Sequence, residues 1–345
     1  MKIVYFFCYP HGPPDRAGYE HQIVCLAEGL RELGIPFFGN VDYWQEGNAP
    51  EDFLIRQDPY VSFRDANIVV FSSVMYRYES YHLLPRDLFN SKRSYRLIFI
   101  DWSDGVRTPG FRDEMRACDL VLKCHYNCKD VLPKNFRPWA FGLSIRILDH
   151  LSRKGQWRRD ADILVNYRHN HSLRKRAVNE IIPLFEGILR ENRTVESFDD
   201  VEGMTTKDRL FWLQTGRRHY PSYRRLLAST ACSCFGGLLR EDRVYQFDSW
   251  RFWESLAAGA CTFHIDLEKY GCVLPVMPIN KVHYLGFNLE SPACTVDMVR
   301  KNPALLRTIG EAGRAWALTN YSPRPVAERF LQWADERAPH PGACS

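Results

Sequence analysis

Short, wholly apolar runs alternate along this chain with longer stretches in which apolar residues return every three or four positions. "KIVYFFCY", "IPFFGNVDY", "ANIVVFSS", "YRLIFID" and "CDLVLKC" are of the first kind and lie between Lys2 and Cys124. Such runs, with no polar face, suit strands buried on both sides. Between the first two, "GYEHQIVCLAEGLRELG" places Ile23, Leu26, Ala27, Leu30 and Leu33 on one helical face and ends at Gly34, a residue free to adopt the left-handed backbone that stops a helix. The alternation predicts an α/β fold, a parallel sheet with helices on both faces.

After "PWAFGLS" the pattern changes. A charged helical stretch, "IRILDHLSRKGQWRRD", leads to a new strand, "ADILVNY", near residue 161, so residues 1–148 form a first domain and a second begins at 149. The second half predicts a helix over "SLRKRAVNEIIPLFEGILREN", a strand near "VESFDD", a helix at "SYRRLLAST" and a strand at "ACSCFG". A last helix, "RFWESLAAG", runs into the strand "ACTFHI". Two such domains are expected to face each other across a cleft, with ligands at the carboxyl ends of the strands. Those ends carry "PHGPPDRAGYE", "DWSDG", "RHNHSLR" and the approach to "RFWE". Glu254 stands there among two tryptophans and a phenylalanine. It is either on the surface by phase or held in a half-buried site, and its aromatic surroundings favour the second.

Composition narrows the class. With 345 residues, 45% of them apolar, the chain can bury a large core. No apolar run is long enough to cross a bilayer, and Met1 leads straight into "KIVYFFCY" without the ordered regions of a signal peptide, so a cytoplasmic protein is expected. The eleven cysteines are odd in number and sit in apolar contexts, as Cys8, Cys25 and Cys261 do, and read as reduced core thiols. "CHYNC" and "CSC" each supply half of a zinc site and lack a second ligand pair, so no metal site is assigned. The net charge is +5, and 35 of the 46 basic residues are arginine. They cluster in "SRKGQWRR", "YRHNHSLRKR" and "GRRHYPSYRR", each either a solvated face or a site for a diphosphate or nucleic-acid backbone, since the planar guanidinium matches phosphate oxygens.

These motifs, in this order, resemble the nucleotide-sugar glycosyltransferases of the GT-B fold, which has two Rossmann-like domains. The opening strand, loop and "GYEHQIVCLAEGLRELGI" resemble the start of that family, and "RFWESLAAGACTFHI" resembles its nucleotide-sugar motif. "NPALLRTIGEAGRAWALTNYSPRPVAERFLQW" resembles its closing helices. The resemblance implies a second domain of residues 149–320 and a C-terminal helix, 321–345, packing back on the first. It implies a nucleotide-sugar donor, a UDP-sugar foremost, with Glu254 accepting from the ribose hydroxyls, Arg168, Arg174 and Arg251 clasping the diphosphate, and Gly18 in the first loop among the donor contacts. A divalent metal is compatible with that chemistry and not required by it.

One departure bears on stereochemistry. Retaining members often carry a second glutamate eight residues before the first, and here that position is Gln246. The resemblance then implies inversion, which needs a base on the acceptor side. Asp101, at the end of "LIFID", is the first candidate, although it could instead cap the following segment, where Asp104 competes for the role. His11 and Glu20 are the others. The layout also resembles the phage DNA β-glucosyltransferase family in the acid at Glu20, the strand-end Asp101, the pair Arg168 and Arg174, and the R-x-W-E element from Arg251 to Glu254. The acceptor is left open between a glycan, a small molecule and a modified DNA base. A second class stays open as well, a non-catalytic nucleotide or nucleic-acid binding protein of the same fold, its arginines facing a phosphate backbone.

Overall fold

The computed structural model describes residues 2–9, 20–46, 52–77, 83–103, 113–151, 160–167, 171–193, 221–240 and 243–336. Among these, the residues up to Ile145 and from Tyr321 onward pack into one unit, and those from Arg146 to Asn320 into another.

The first unit runs β1 (Val4–Phe7), α1 (His21–Glu32), β2 (Phe37–Gly39), a hairpin of β3 (Tyr43–Gln45) and β4 (Phe53–Ile55), β5 (Ile68–Ser72), α2 (Val74–Arg77), β6 (Arg96–Asp101), α3 (Asp113–Ala117), β7 (Leu120–Lys123) and β8 (Phe136–Pro138). Six strands form a parallel sheet in the order β2-β1-β5-β6-β7-β8. The apolar runs become its centre because both faces of β1, β5 and β7 are covered. Phe7, Phe63, Phe71 and Phe99 pack together on one face, with the rings of Phe71 and Phe99 4.9 Å apart.

In the second unit come α4 (Ile145–Leu151, its first residue still in the first unit), β9 (Asp160–Val165), α5 (Ser172–Arg176), β10 (Arg190–Arg193), α6 (Pro221–Ala228) and β11 (Ser229–Ser233). They are followed by a hairpin of β12 (Leu238–Arg240) and β13 (Arg243–Tyr245), then α7 (Trp250–Ala258), β14 (Cys261–Ile265), β15 (Leu285–Phe287), α8 (Pro292–Lys301) and α9 (Leu305–Tyr321, its last residue already in the first unit). Its parallel sheet has the order β10-β9-β11-β14-β15. In each sheet the carboxyl ends of all strands therefore lie along one edge.

One expected element is corrected. The helix predicted from Ser172 to Asn192 stops at Arg176, widens into a π-helical turn over Ala177–Ile181 and ends in a 3₁₀ turn over Ile182–Phe185. Pro183 has no N–H to donate and its ring crowds the preceding turn. Arg190–Arg193 then pair with β9 as β10. The strand expected near residues 195–200 lies outside the described residues.

Small residues set the close contacts. Gly259 ends α7 in the left-handed region (φ 70°), which turns the chain directly into β14. Beside it α9 approaches so closely that a Cβ on Gly310 would sit 2.4 Å from the Gly259 carbonyl oxygen. The final helix, α10 (Pro323–Asp335), lies along α1. A Cβ on Gly29 would sit 2.1 Å from the Pro323 carbonyl oxygen, while Val326, Ala327 and Phe330 are buried. Because α10 covers one side of α1 and the sheet the other, every residue of α1 from His21 to Leu30 is buried rather than one face alone. Among the described residues no helix is long and apolar enough to cross a membrane.

Candidate functional site

Helix α7 resolves the question posed by Glu254. Phe252, Trp253, Leu256 and Ala257 point into the core, with Phe252 against Trp253 (rings 5.1 Å apart) and Trp253 stacked on Trp316 at 6.0 Å. Glu254 is buried too, with only 4% of its surface exposed, and lines a small pocket with Arg251 one turn before it. The rest of that pocket comes from Leu164 and Asn166 at the end of β9, Cys232 on β11, and Tyr223 and Leu226 on α6. The Tyr223 hydroxyl donates to Oε1 of Glu254 at 3.0 Å, and its ring stacks on His150. A carboxylate buried beside two tryptophans is thus kept in place by a phenol.

Tyr167 stands two residues beyond β9 and gathers the basic groups. The Arg174 guanidinium lies 5.5 Å from its ring centroid and that of Arg251 5.9 Å. Its hydroxyl is hydrogen-bonded to Ser233 at the end of β11 (2.8 Å), and burial pushes its pKa well above the phenolic range. Arg174 Nε also donates to the Phe235 carbonyl at 3.3 Å. Cys234 Sγ donates to the Arg251 carbonyl at 3.3 Å and lies 3.6 Å from Cys232 Sγ, both thiols being buried and free. Three of the residues expected to bind a donor, Arg174, Arg251 and Glu254, therefore meet at one edge of one sheet. Arg168 and Gly18, the other two, lie outside the described residues.

Along the corresponding edge of the first unit runs a row of buried polar groups. Glu20 precedes α1, accepts from the Tyr9 N–H at 2.8 Å and from the Ser72 hydroxyl at the end of β5, and is wholly buried. Burial raises its pKa to about 7, against the opposing pull of the Ser72 and Tyr9 hydrogen bonds. Ser73 Oγ accepts from the Trp102 N–H. Asp101, fully buried at the end of β6, accepts from the N–H and hydroxyl of Ser103 with one oxygen and from Lys123 Nζ with the other, at 3.0 Å. Lys123 is its register partner on β7, and the two ions neutralise each other where neither meets water. His125 beyond β7 is held neutral, its pKa lowered to about 3 by burial and by the charge on Lys123. Glu20 and Asp101 thus share an edge. His11 lies outside the described residues.

Tyr167, Tyr223 and Lys123 escaped the sequence reading. Lys123 had a usable signal, since one lysine at the end of the apolar run "LVLK" must find an anion once the strand is buried. Tyr167 and Tyr223 had none, because an aromatic residue near a strand or in a helix ordinarily means core.

Two parallel-sheet Rossmann-like units, with the last helix folded back on the first, make this a GT-B fold. Three of the solved structures it resembles agree over almost the whole chain. An alpha-glucosyltransferase in complex with UDP-glucose and DNA containing an abasic site superimposes with a TM-score of 0.56 at 10% identity, covering 97% of this chain and 100% of that one. A glycosyltransferase from Rickettsia africae ESF-5 gives 0.54 at 12% (96% and 98% covered), and sucrose-phosphate synthase from Thermosynechococcus elongatus 0.52 at 14% (96% and 98%). At such identities the likeness is one of fold. No protein-family profile matches the sequence, and no curated protein does.

Proposed function

We propose that this chain is an inverting glycosyltransferase that moves a sugar from a UDP-sugar to an acceptor hydroxyl. The observation that carries the reading is the convergence of Arg174 and Arg251 on one ring beside buried Glu254, at the strand ends of a parallel sheet. Two guanidiniums suit the charge that grows on a departing diphosphate, and a carboxylate suits a vicinal diol such as that of ribose. Arg168 and Gly18 complete the donor contacts. The bound UDP-glucose of the alpha-glucosyltransferase supports uridine as the nucleoside, and its DNA supports a modified base as acceptor alongside a glycan or small molecule.

Inversion is a single displacement that takes a proton from the attacking hydroxyl. Asp101 is assigned as the base, at the end of β6 with Lys123 Nζ 3.0 Å away. Glu20 is the second candidate, because a pKa near 7 matches a base working near neutrality. His11 is the third. Calorimetric titration with UDP, followed by release of UDP from UDP-glucose over hydroxymethylated DNA and glycan acceptors, tests the reading. Glu254→Gln is expected to lose about 1.5 to 3 kcal/mol of UDP affinity. Asp101→Asn is expected to bind UDP normally and turn over roughly 10²- to 10⁴-fold more slowly. Failure of the protein to bind UDP overturns the reading. A product with the donor's anomeric configuration overturns inversion, and UDP binding without turnover leaves a non-catalytic nucleotide binder.

A further inference from the structure

We infer that Tyr167 is a positioning residue for the diphosphate, a π platform that sets where the two arginines stand; this rests on the donor site proposed above. Arg174 comes from the helix after β9 and Arg251 from the first turn of α7, so nothing in the local chain fixes one relative to the other. What they share is the ring of Tyr167, at 5.5 and 5.9 Å, both within the distance at which a guanidinium is attracted to an aromatic face.

The ring itself is held fast. Its hydroxyl is tied to Ser233 at the end of β11, the strand next to β9, and the side chain is buried, so the platform is fixed to two adjacent strands of the sheet. Gathering two cations on one ring opposes their mutual repulsion, a cost that a polyanion between them removes. A site for a singly charged or neutral ligand needs no such arrangement. Since both arginines are placed before any ligand arrives, little ordering remains to be done on binding.

The test compares uridine, UMP and UDP by calorimetry on wild type, Tyr167→Phe and Tyr167→Leu. The phenylalanine variant keeps the ring and is expected to hold all three ligands within about threefold of wild type, given that the loss is one hydrogen bond to Ser233. The leucine variant removes the π face and is expected to lose roughly 10- to 30-fold for UDP, less for UMP and almost nothing for uridine, two exposed-to-desolvated cation–π contacts being at stake. Equal losses for UDP and uridine would mean the ring merely shapes the pocket, and no loss for either would mean it does nothing for the arginines; either overturns the inference. If Tyr167→Leu does not fold, Tyr167→Met, which keeps the bulk without the π face, carries the same comparison. Wild type that fails to bind UDP sinks the donor reading itself, a result distinct from either of these.

Discussion

Glu20 makes a prediction about pH in the direction opposite to that of a salt-bridged acid. Burial lifts its pKa from 4.5 to about 7. Below pH 4.5 both folded and unfolded chains hold the proton, and the contribution to stability is complete. Between 4.5 and 7 the unfolded chain gives the proton up while the folded one keeps it, so stability falls as pH rises and levels off above 7. The loss is about 3 kcal/mol at 1.36 kcal/mol per unit of pKa. Glu20→Gln can accept from the Tyr9 N–H with its oxygen and donate to Ser72 Oγ, so denaturant titrations should show its advantage over wild type growing across that window. A constant difference between the two proteins from pH 4.5 to 7 would mean that Glu20 titrates normally. At this scale the sequence was uneven. Glu254 stood out because an acid among "WRF" and "SLAAG" has no apolar reason to be there, whereas Tyr167 and Tyr223 act through a ring face and a hydroxyl whose partners come from other elements. No reading of neighbours along the chain could supply those partners.

Strands were easier to read than helices. A strand covered on both faces is a plain apolar run, and "IVVFS" and "LVLK" became β5 and β7 where expected. Helix α1 was recognised by its apolar face, but its other side carries His21, Gln22 and Glu28, which look solvated in sequence and are buried. Each side chain meets at least one partner, His21 Nε2 lying 3.0 Å from the Gly142 carbonyl, Gln22 Nε2 donating to Cys124 Sγ at 3.7 Å and Glu28 accepting from the Ile145 N–H at 2.7 Å. Helix α5 was over-extended because its apolar period continues through Pro183 while its hydrogen bonds cannot. The crossing of α1 and α10 turns on Gly29, and the atoms facing it are the Pro323 carbonyl and the Ala327 Cβ, neither of which has a rotamer to move. Gly29→Ala should therefore cost about 1 to 3 kcal/mol by overpacking, despite alanine's better helix propensity. Urea denaturation measures it, and a stabilised variant would show that the crossing relaxes freely.

The whole molecule is two cores joined by one chain, and its expected ligand contacts within the described residues at the donor site all belong to the second. In scanning calorimetry UDP at one hundred times its dissociation constant should add about 2.7 kcal/mol to the unfolding of that unit and leave the other's transition in place. A shift of both by the same amount would show that the two unfold as one. The division into two α/β halves was legible from the change of pattern after "PWAFGLS", whereas the return of the last helix came from likeness to a family, since nothing in "PRPVAERFLQW" names the surface it covers. That return also shapes how the protein is made. The strands of the first unit leave the ribosome early, yet α10 follows only after residues 146–320 have been synthesised, roughly ten to thirty seconds at about 5 to 20 residues per second. Through that interval the side of α1 that carries Gly29 is without the helix that covers it in the finished protein. The half that begins first is the half that finishes last.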